Sequence, residues 1–323
     1  MDNAEGSGPT RKQAIGFCAG VAAGAAFALA TYLIARKVQP NSGLILVSVF
    51  LIPAAASALA VLVAGIRGKG SMGRATMMAA SVVTTMLVGS ALFFREGAIC
   101  IAMAAPIFYP LSILGAIAVA ALRGHCDSRT PPALVIVLPL LLLPIEQQSA
   151  YPTMHAAITT QIDIIAPLDT VWRDAVEIRG IRPSEQTWTP THALLRVPRP
   201  VDAELIQRNG RLVRHATWQG GVQFSEIVTA WRRDRSVAWR FDIPKVTADR
   251  LLDEHLRLDQ GYLRLEGGQY AFESLSPTRT RLRLTTRYSA RTPWNAYAVL
   301  WSELVLGDIH RNVLNIVKRR AEQ

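Results

Sequence analysis

Four stretches without a single Asp, Glu, Lys or Arg dominate the first part of this chain. They are Ala14–Ala35, Gly43–Ile66, Ala75–Phe94 and Ala98–Leu122, of 22, 24, 20 and 25 residues. A helix rises about 1.5 Å per residue, so each is long enough to cross a hydrocarbon core about 30 Å thick. Buried helices of soluble proteins rarely combine this length with this purity. Pro131–Ile145 is a fifth, shorter apolar run, with Pro139 and Pro144 inside it. It reaches spanning length, 131–148, only if the residues from Glu146 onward enter the headgroup region, and proline is tolerated there when neighbours satisfy the freed carbonyl. The expectation is a bundle of about five spans (14–35, 43–66, 75–94, 98–122, 131–148) within residues 1–150. Arg11-Lys12 ahead of an apolar run also fits a secretory signal, but this run is longer than a signal core and further spans follow at once. A retained first helix is therefore expected.

Charge divides the chain at the same place. Residues 1–150 hold 10 Lys/Arg and 5 Asp/Glu, against 25 and 19 in residues 151–323. The second part thus has the charge density of a soluble domain. Its basic groups are 23 Arg and two Lys, interleaved with acids and without a long run. That pattern argues against nucleic acid as a partner despite the net charge of +11. No span contains an acid or a base, which argues against an ion pump or a proton-coupled transporter. Gly16, Gly20 and Gly24 recur every fourth residue on the first helix. This smooth face suits close packing within the bundle or, as a second possibility, self-association of the helix. Cys18, Cys100 and Cys126 form no CxxC pair, so neither a disulfide framework nor a structural zinc site is expected. No cofactor is implied.

Lys and Arg in short loops set orientation. With a cytoplasmic N-terminus, the inner loops carry Arg11, Lys12, Arg67, Lys69, Arg74, Arg123 and Arg129, and the outer loops Arg36, Lys37 and Arg95. Five spans would then place the second part outside, in the periplasm if the chain sits in a bacterial inner membrane.

From residue 158 the period changes. Ile158–Ala166 alternates as a strand, and Pro167 opens a short helix that carries Val171, Trp172, Ala175 and Val176. Further strands are expected at 211–218, 222–231, 236–243, 254–260, 268–275 and 280–289, separated by Gly220-Gly221, Arg233-Asp234-Arg235, Gly267-Gly268 and Ser276-Pro277-Thr278. Pro293–Arg320 has a helical apolar stripe able to cover the sheet, and Lys318-Arg319-Arg320 suits the negative end of its dipole.

The order strand, helical insertion, six strands, long helix resembles the START-like (SRPBCC, polyketide cyclase/dehydrase and lipid transport) superfamily. The resemblance covers 155–321. It rests on IDIIAPLDTVWRDAV at 162–176, GGVQFSEIVTAWRRDRSVAWRF at 220–241, GGQYAFE at 267–273 and the amphipathic end from Trp294. It implies an α+β helix-grip domain over 155–323, in which a curved antiparallel sheet wraps the C-terminal helix around a cavity. Members bind sterols, lipids, polyketides or hormones, or carry out cyclisations, so the fold alone does not give the activity.

Alternation nominates the cavity lining: Trp239 and Phe241 on one strand face, Phe224 and Glu226 on another, Tyr270 and Phe272 on a third, with Tyr288 near the sheet's end and His215 as a polar lining residue. The same residues could equally be core packing against the last helix. Glu226, if buried, needs one of the available arginines as a partner. Asp253-Glu254-His255 gathers acid–base groups, but neighbours on a strand face opposite ways, so Glu254 cannot join the other two. The leading expectation is a membrane-anchored binding module for a lipid or other apolar small molecule. An interaction or scaffold protein of a membrane complex is the first alternative. A cyclase/dehydrase-type enzyme using Glu226, His215 or His255 is the second.

Overall fold

The computed structural model describes residues 11–38, 47–93, 97–125, 137–139, 141–142, 151–244, 263–292 and 294–323. They divide into two compact units that meet in sequence near Tyr151.

The first unit is helical. Helix α1 spans Arg11–Val38, a five-residue π-turn at Val47–Leu51 leads into α2 (Ile52–Val63), and α3 (Met72–Phe93) and α4 (Ala98–His125) follow. Among the described residues, three helical stretches are long and apolar enough to cross a membrane: Arg11–Ala35, Met72–Phe93 and Ala98–Gly124. The expected count of about five is not reached among the described residues. The run at Gly43–Ile66 yields only a shorter apolar helix over Val49–Val63, because Pro53 falls in the first turn of α2 and Gly65, at φ +69°, ends it. Most of the run at 131–148 lies outside the described residues.

Small residues set the packing of this unit. A Cβ on Gly20 would lie 2.6 Å from the Ala60 carbonyl oxygen, and one on Gly24 would lie 2.7 Å from that of Ala56. Only glycine lets α1 approach α2 this closely. The glycine face that suggested self-association is therefore occupied by α2 of the same chain. Gly115 of α4 meets the Ala54 backbone in the same way. Two of its buried hydroxyls bond to backbone, Ser112 Oγ donating to the Pro53 carbonyl at 3.0 Å and Thr31 Oγ1 to that of Phe27 at 2.8 Å, whereas the buried Ser57 Oγ has no partner among the described residues. Many of the outward residues are large and apolar, among them Ile15, Met77, Leu92, Phe93 and Leu114.

The second unit is a seven-stranded antiparallel sheet with a long C-terminal helix, consistent with the helix-grip arrangement. Its strands are β1 (Met154–Ile164), β2 (Pro200–Arg208), β3 (Arg211–Trp218), β4 (Val222–Arg232), β5 (Ser236–Asp242), β6 (Leu263–Ser276) and β7 (Arg279–Ala290). Their spatial order is β1-β7-β6-β5-β4-β3-β2. Helix α5 (Leu168–Val176) follows β1, and α6 (Asn295–Ala321) closes the chain. The expected strand at 254–260 lies outside the described residues. Strand β2 was not expected: Pro200 and the alternating charges of VDAELIQR hide it, and both features belong to its position as an edge strand. The Asn209-Gly210 pair carries the missed signal. Both residues have positive φ, 51° and 73°, and they join Arg208 to Arg211 in a two-residue hairpin.

The core lies between the inner sheet face, α5 and α6. It contains Ile164, Val171, Trp172, Leu282, Leu284, Leu314, Ile316 and Val317. Helix α6 packs chiefly on β1, and then on α5 and β7. His310 of α6 is buried between Thr286 Oγ1 (2.8 Å from Nε2) and Thr160 Oγ1 (3.2 Å from Nδ1). Gly307 brings the helix down onto Ile158. The insertion after α5 is tied to α6 by polar bonds. The fully buried Asn312 accepts from the Thr187 backbone N–H and donates to Gln186 Oε1. Asp308 accepts from the Thr191 N–H and hydroxyl. Glu185 binds Arg320 at 2.6 Å. That bond, partly opposed by burial, holds the Glu185 carboxyl down at about 2.

Candidate ligand site

Cross-strand register brings most of the nominated residues onto one face. Ala216 pairs with Phe224 and Arg214 with Glu226. Glu226 in turn pairs with Phe241, and Val228 with Trp239. Val237 pairs with Tyr270, and Phe272 with Leu282. Since side chains alternate along each strand, all of these share the inner face. A bulge between Val228 and Ala230 shifts the phase of β4, so that Trp231, opposite Val237, also turns inward.

The aromatic rings form a continuous series across the sheet. Centroid separations are 5.8 Å for Trp218–Phe224, 6.1 Å for Phe224–Phe241, 6.4 Å for Trp239–Phe241, 5.1 Å for Trp239–Tyr270 and 6.2 Å for Tyr270–Phe272. The last members belong to the core: Trp172 of α5 packs on Phe272 at 4.9 Å and edge-on to Trp231 at 5.2 Å. Tyr288 is fully buried on β7, beside Ser302 of α6, and stands apart from this series.

A charged pair sits within the aromatic series. Arg214 Nη1 donates to Glu226 Oε2 at 2.6 Å, and the two side chains are 10% and 8% exposed. The guanidinium carbon lies 5.5 Å from the Tyr270 ring centre and 5.9 Å from that of Trp239, which is cation–π range. Burial pushes the Glu226 carboxyl above its ordinary range, against the pull of Arg214. Burial disfavours the Arg214 cation, but the charges and hydrogen bonds of Glu226 and Tyr270 together outweigh it and keep the guanidinium protonated. Tyr270 is raised by burial, with Arg214 opposing.

Two buried donors within this aromatic series, Arg214 Nε and Trp239 Nε1, have no hydrogen-bond partner among the described residues, and neither has the Tyr288 hydroxyl farther along the same sheet face. A buried donor left without an acceptor costs on the order of 1–3 kcal/mol. Such groups mark places where a further oxygen atom would be welcome.

Two residues change places relative to the sequence reading. His215 pairs with Ser225 and Glu204 and lies on the opposite face from Arg214, so it does not line this site. Arg214, its neighbour, takes that position and is the partner Glu226 required. The difference is one of strand parity, because neighbours on β3 face opposite ways. The register was the available signal, since Arg214 stands directly opposite Glu226. Asp253, Glu254 and His255 lie outside the described residues. Among the described residues no three His, Cys, Asp or Glu side chains gather as a metal site requires.

A separate depression of about 380 Å³ is lined by Ile181, Gln186, Pro200 and Gln219. Its amides are already engaged, Gln186 with the Pro200 carbonyl and Gln219 with the Arg199 N–H. The buried unpartnered donors Arg214 Nε and Trp239 Nε1 do not line it.

No protein-family model and no curated protein matches the chain. Solved structures similar to it include an aromatase/cyclase from Streptomyces, 16% identical over 52% of this chain and 94% of that one, with a TM-score of 0.34. A START superfamily protein from Mycobacterium smegmatis is 13% identical over 53% and 99%, with a TM-score of 0.33. Truncated norcoclaurine synthase from Thalictrum flavum is 13% identical over 54% and 99%, with a TM-score of 0.32.

Proposed function

We propose that the chain is a membrane-anchored binding module for a largely apolar small molecule or lipid that carries at least one hydrogen-bond-accepting oxygen. The observation that carries this reading is the pair of unpartnered buried donors, Arg214 Nε and Trp239 Nε1, set among Phe224, Phe241 and Tyr270. Aromatic walls with a few converging polar groups are what a site for an apolar ligand requires. Arg214 would orient the oxygen, and the rings would bury the rest. The acid–base groups that an enzyme would use favour binding over catalysis. Glu226 is engaged by Arg214, and His215 faces away.

The anchor is supported by three long apolar helices and by the apolar outward residues of their unit, which water would solvate poorly. We place the N-terminus in the cytoplasm and the C-terminal unit on the opposite, periplasmic side of a bacterial inner membrane. If all five apolar runs cross, the excess of Lys and Arg at 11, 12, 67, 69, 74, 123 and 129 over 36, 37 and 95 supports the first point. The odd number of crossings on that five-run reading supports the second.

The test is purification of the full chain from native membranes, followed by mass spectrometry of co-purifying small molecules. A specific apolar compound present with the wild type and absent with Arg214→Met is the expected result. Equal recovery of the same compounds from both would overturn the assignment of the site. A reporter fused after Gln323 reads the side of the membrane.

A further inference from the structure

The first turns of α6 carry an exposed apolar stripe that the core does not use. Trp294, Leu300 and Leu304 are 46%, 51% and 54% exposed. Tyr297 and Trp301 are partly exposed beside them, and the rings of Trp294, Tyr297 and Trp301 follow one another at 5.0 and 6.3 Å. Residues 297, 300, 301 and 304 fall at helical spacing on one side of α6. The opposite side buries Ser302, Leu306, Gly307 and His310. Beyond this stretch the outward positions become polar, with Arg311 and Arg319 exposed. The helix is therefore apolar on both sides over its first three turns only.

This end of the helix is also where the chain enters the domain. Asn295 Nδ2 donates to the Pro152 carbonyl at 2.8 Å, and Arg291 Nε to that of Tyr151 at 3.2 Å. Only residues 146–150 separate Tyr151 from the apolar run Pro131–Ile145. A chain of that length reaches at most about 20 Å even when fully extended. Two exposed arginines, Arg291 and Arg264, stand at the same end of the sheet, and Glu303 borders the stripe.

We infer that Trp294, Tyr297, Leu300, Trp301 and Leu304 form a second membrane contact, which lies in the headgroup region of the bilayer that anchors the chain. Trp and Tyr favour that region because their rings combine an apolar body with a polar edge. A helix lying in it buries its apolar side about 5–10 Å into the headgroup and acyl boundary. Arg291 and Arg264 complement the phosphates of anionic headgroups. The contact holds the domain in one orientation against the lipid surface. This inference rests on the membrane reading proposed for the N-terminal unit, not on the ligand assignment.

All seven tryptophans lie in the C-terminal unit: Trp172, Trp188, Trp218, Trp231, Trp239, Trp294 and Trp301. The full chain is therefore reconstituted in bilayers of phosphatidylcholine and phosphatidylglycerol, with the phosphatidylcholine brominated at the headgroup end of its acyl chains. Bromine quenches only rings that reach the lipid. The expected result is quenching in the wild type that is mostly lost in Trp294→Phe combined with Trp301→Phe. A chain removed by alkaline carbonate would overturn the membrane reading and this inference with it. A carbonate-resistant chain whose quenching is absent, or is the same in the double variant, would overturn this inference alone. Absent quenching with a disulfide-linked dimer of Leu304→Cys, in a background lacking the native cysteines, would assign the stripe to a second copy instead.

Discussion

Gly268 on β6 stands directly opposite Trp239 on β5, and the Trp239 indole fills the space that a Cβ at Gly268 would need. The glycine thus sets the position of one of the two unpartnered donors of the site. Gly267, beside it, allows a similarly close approach of the Trp239 carbonyl, 2.5 Å from where its own Cβ would stand.

Gly268→Ala is expected to displace the indole and to destabilise the domain by about 1–3 kcal/mol, the usual range for overpacking. Thermal melting of the full chain in detergent, followed by tryptophan fluorescence, reads this, because no tryptophan lies in the N-terminal unit. Adding Trp239→Leu should recover part of the loss. Strict additivity of the two changes would show that the overlap is not the cause.

Glu226→Ala leaves the Arg214 cation buried without its counter-charge. The expected loss is about 3–5 kcal/mol, whereas Arg214→Met with Glu226→Leu should fold about as stably as the wild type. Both variants should lose the co-purifying ligand. If the double variant melts as early as the single one, the pair is needed for folding and not merely balanced within it.

Acid should weaken the domain in two separate windows. His310 is held at about 4, first by burial and then by the Arg311 charge beside it. Its folded value lies below the unfolded one of about 6.5, so the unfolded chain takes up the proton first. Stability is therefore complete above about pH 6.5 and falls by about 3 kcal/mol as the pH drops toward 4. Glu185 acts lower, since its carboxyl is depressed to about 2 chiefly by Arg320. Its contribution is present above about pH 4.5 and is lost as the pH falls toward 2. Melting temperature against pH, compared with that of His310→Asn, checks the assignment. A variant that keeps the upper slope would assign that window to another group.

Gly20→Ile should separate α1 from α2, because its Cβ would meet the Ala60 carbonyl at 2.6 Å and the Met78 methyl at 3.0 Å. The expected cost is again about 1–3 kcal/mol, read as a lower temperature of aggregation in detergent. The oligomeric state on size-exclusion chromatography should stay unchanged. A shift to a smaller species would mean that the glycines join two copies.

Much of this protein could be read from its sequence because the relevant signals are local. The uncharged runs depend only on composition and length, and α1, α3 and α4 follow them closely. The alternation of Val237, Trp239 and Phe241 is a property of β5 alone, and the apolar period fixed α6 to within two residues at each end. The length of α2 was overestimated because an uncharged run reports hydrophobicity, not helical continuity. Pro53 and Gly65 set its actual limits.

Position relative to other strands was not local, and there the sequence fell short. Strand β2 is an edge strand, so half of its residues meet water and its pattern is diluted. The choice between Arg214 and His215 turned on a single step of register. A strand's two faces are indistinguishable until a neighbour is paired with it, and only the pairing of Arg214 with Glu226 placed the cation inside. The same holds for the glycines of α1, whose spacing announces a close contact without naming the partner. The sequence alone determined which segments are apolar and where most of the strands lie, β2 excepted. The tertiary structure decided which side chains meet, because register, bulges and close backbone approaches arise only between elements that are distant in the chain.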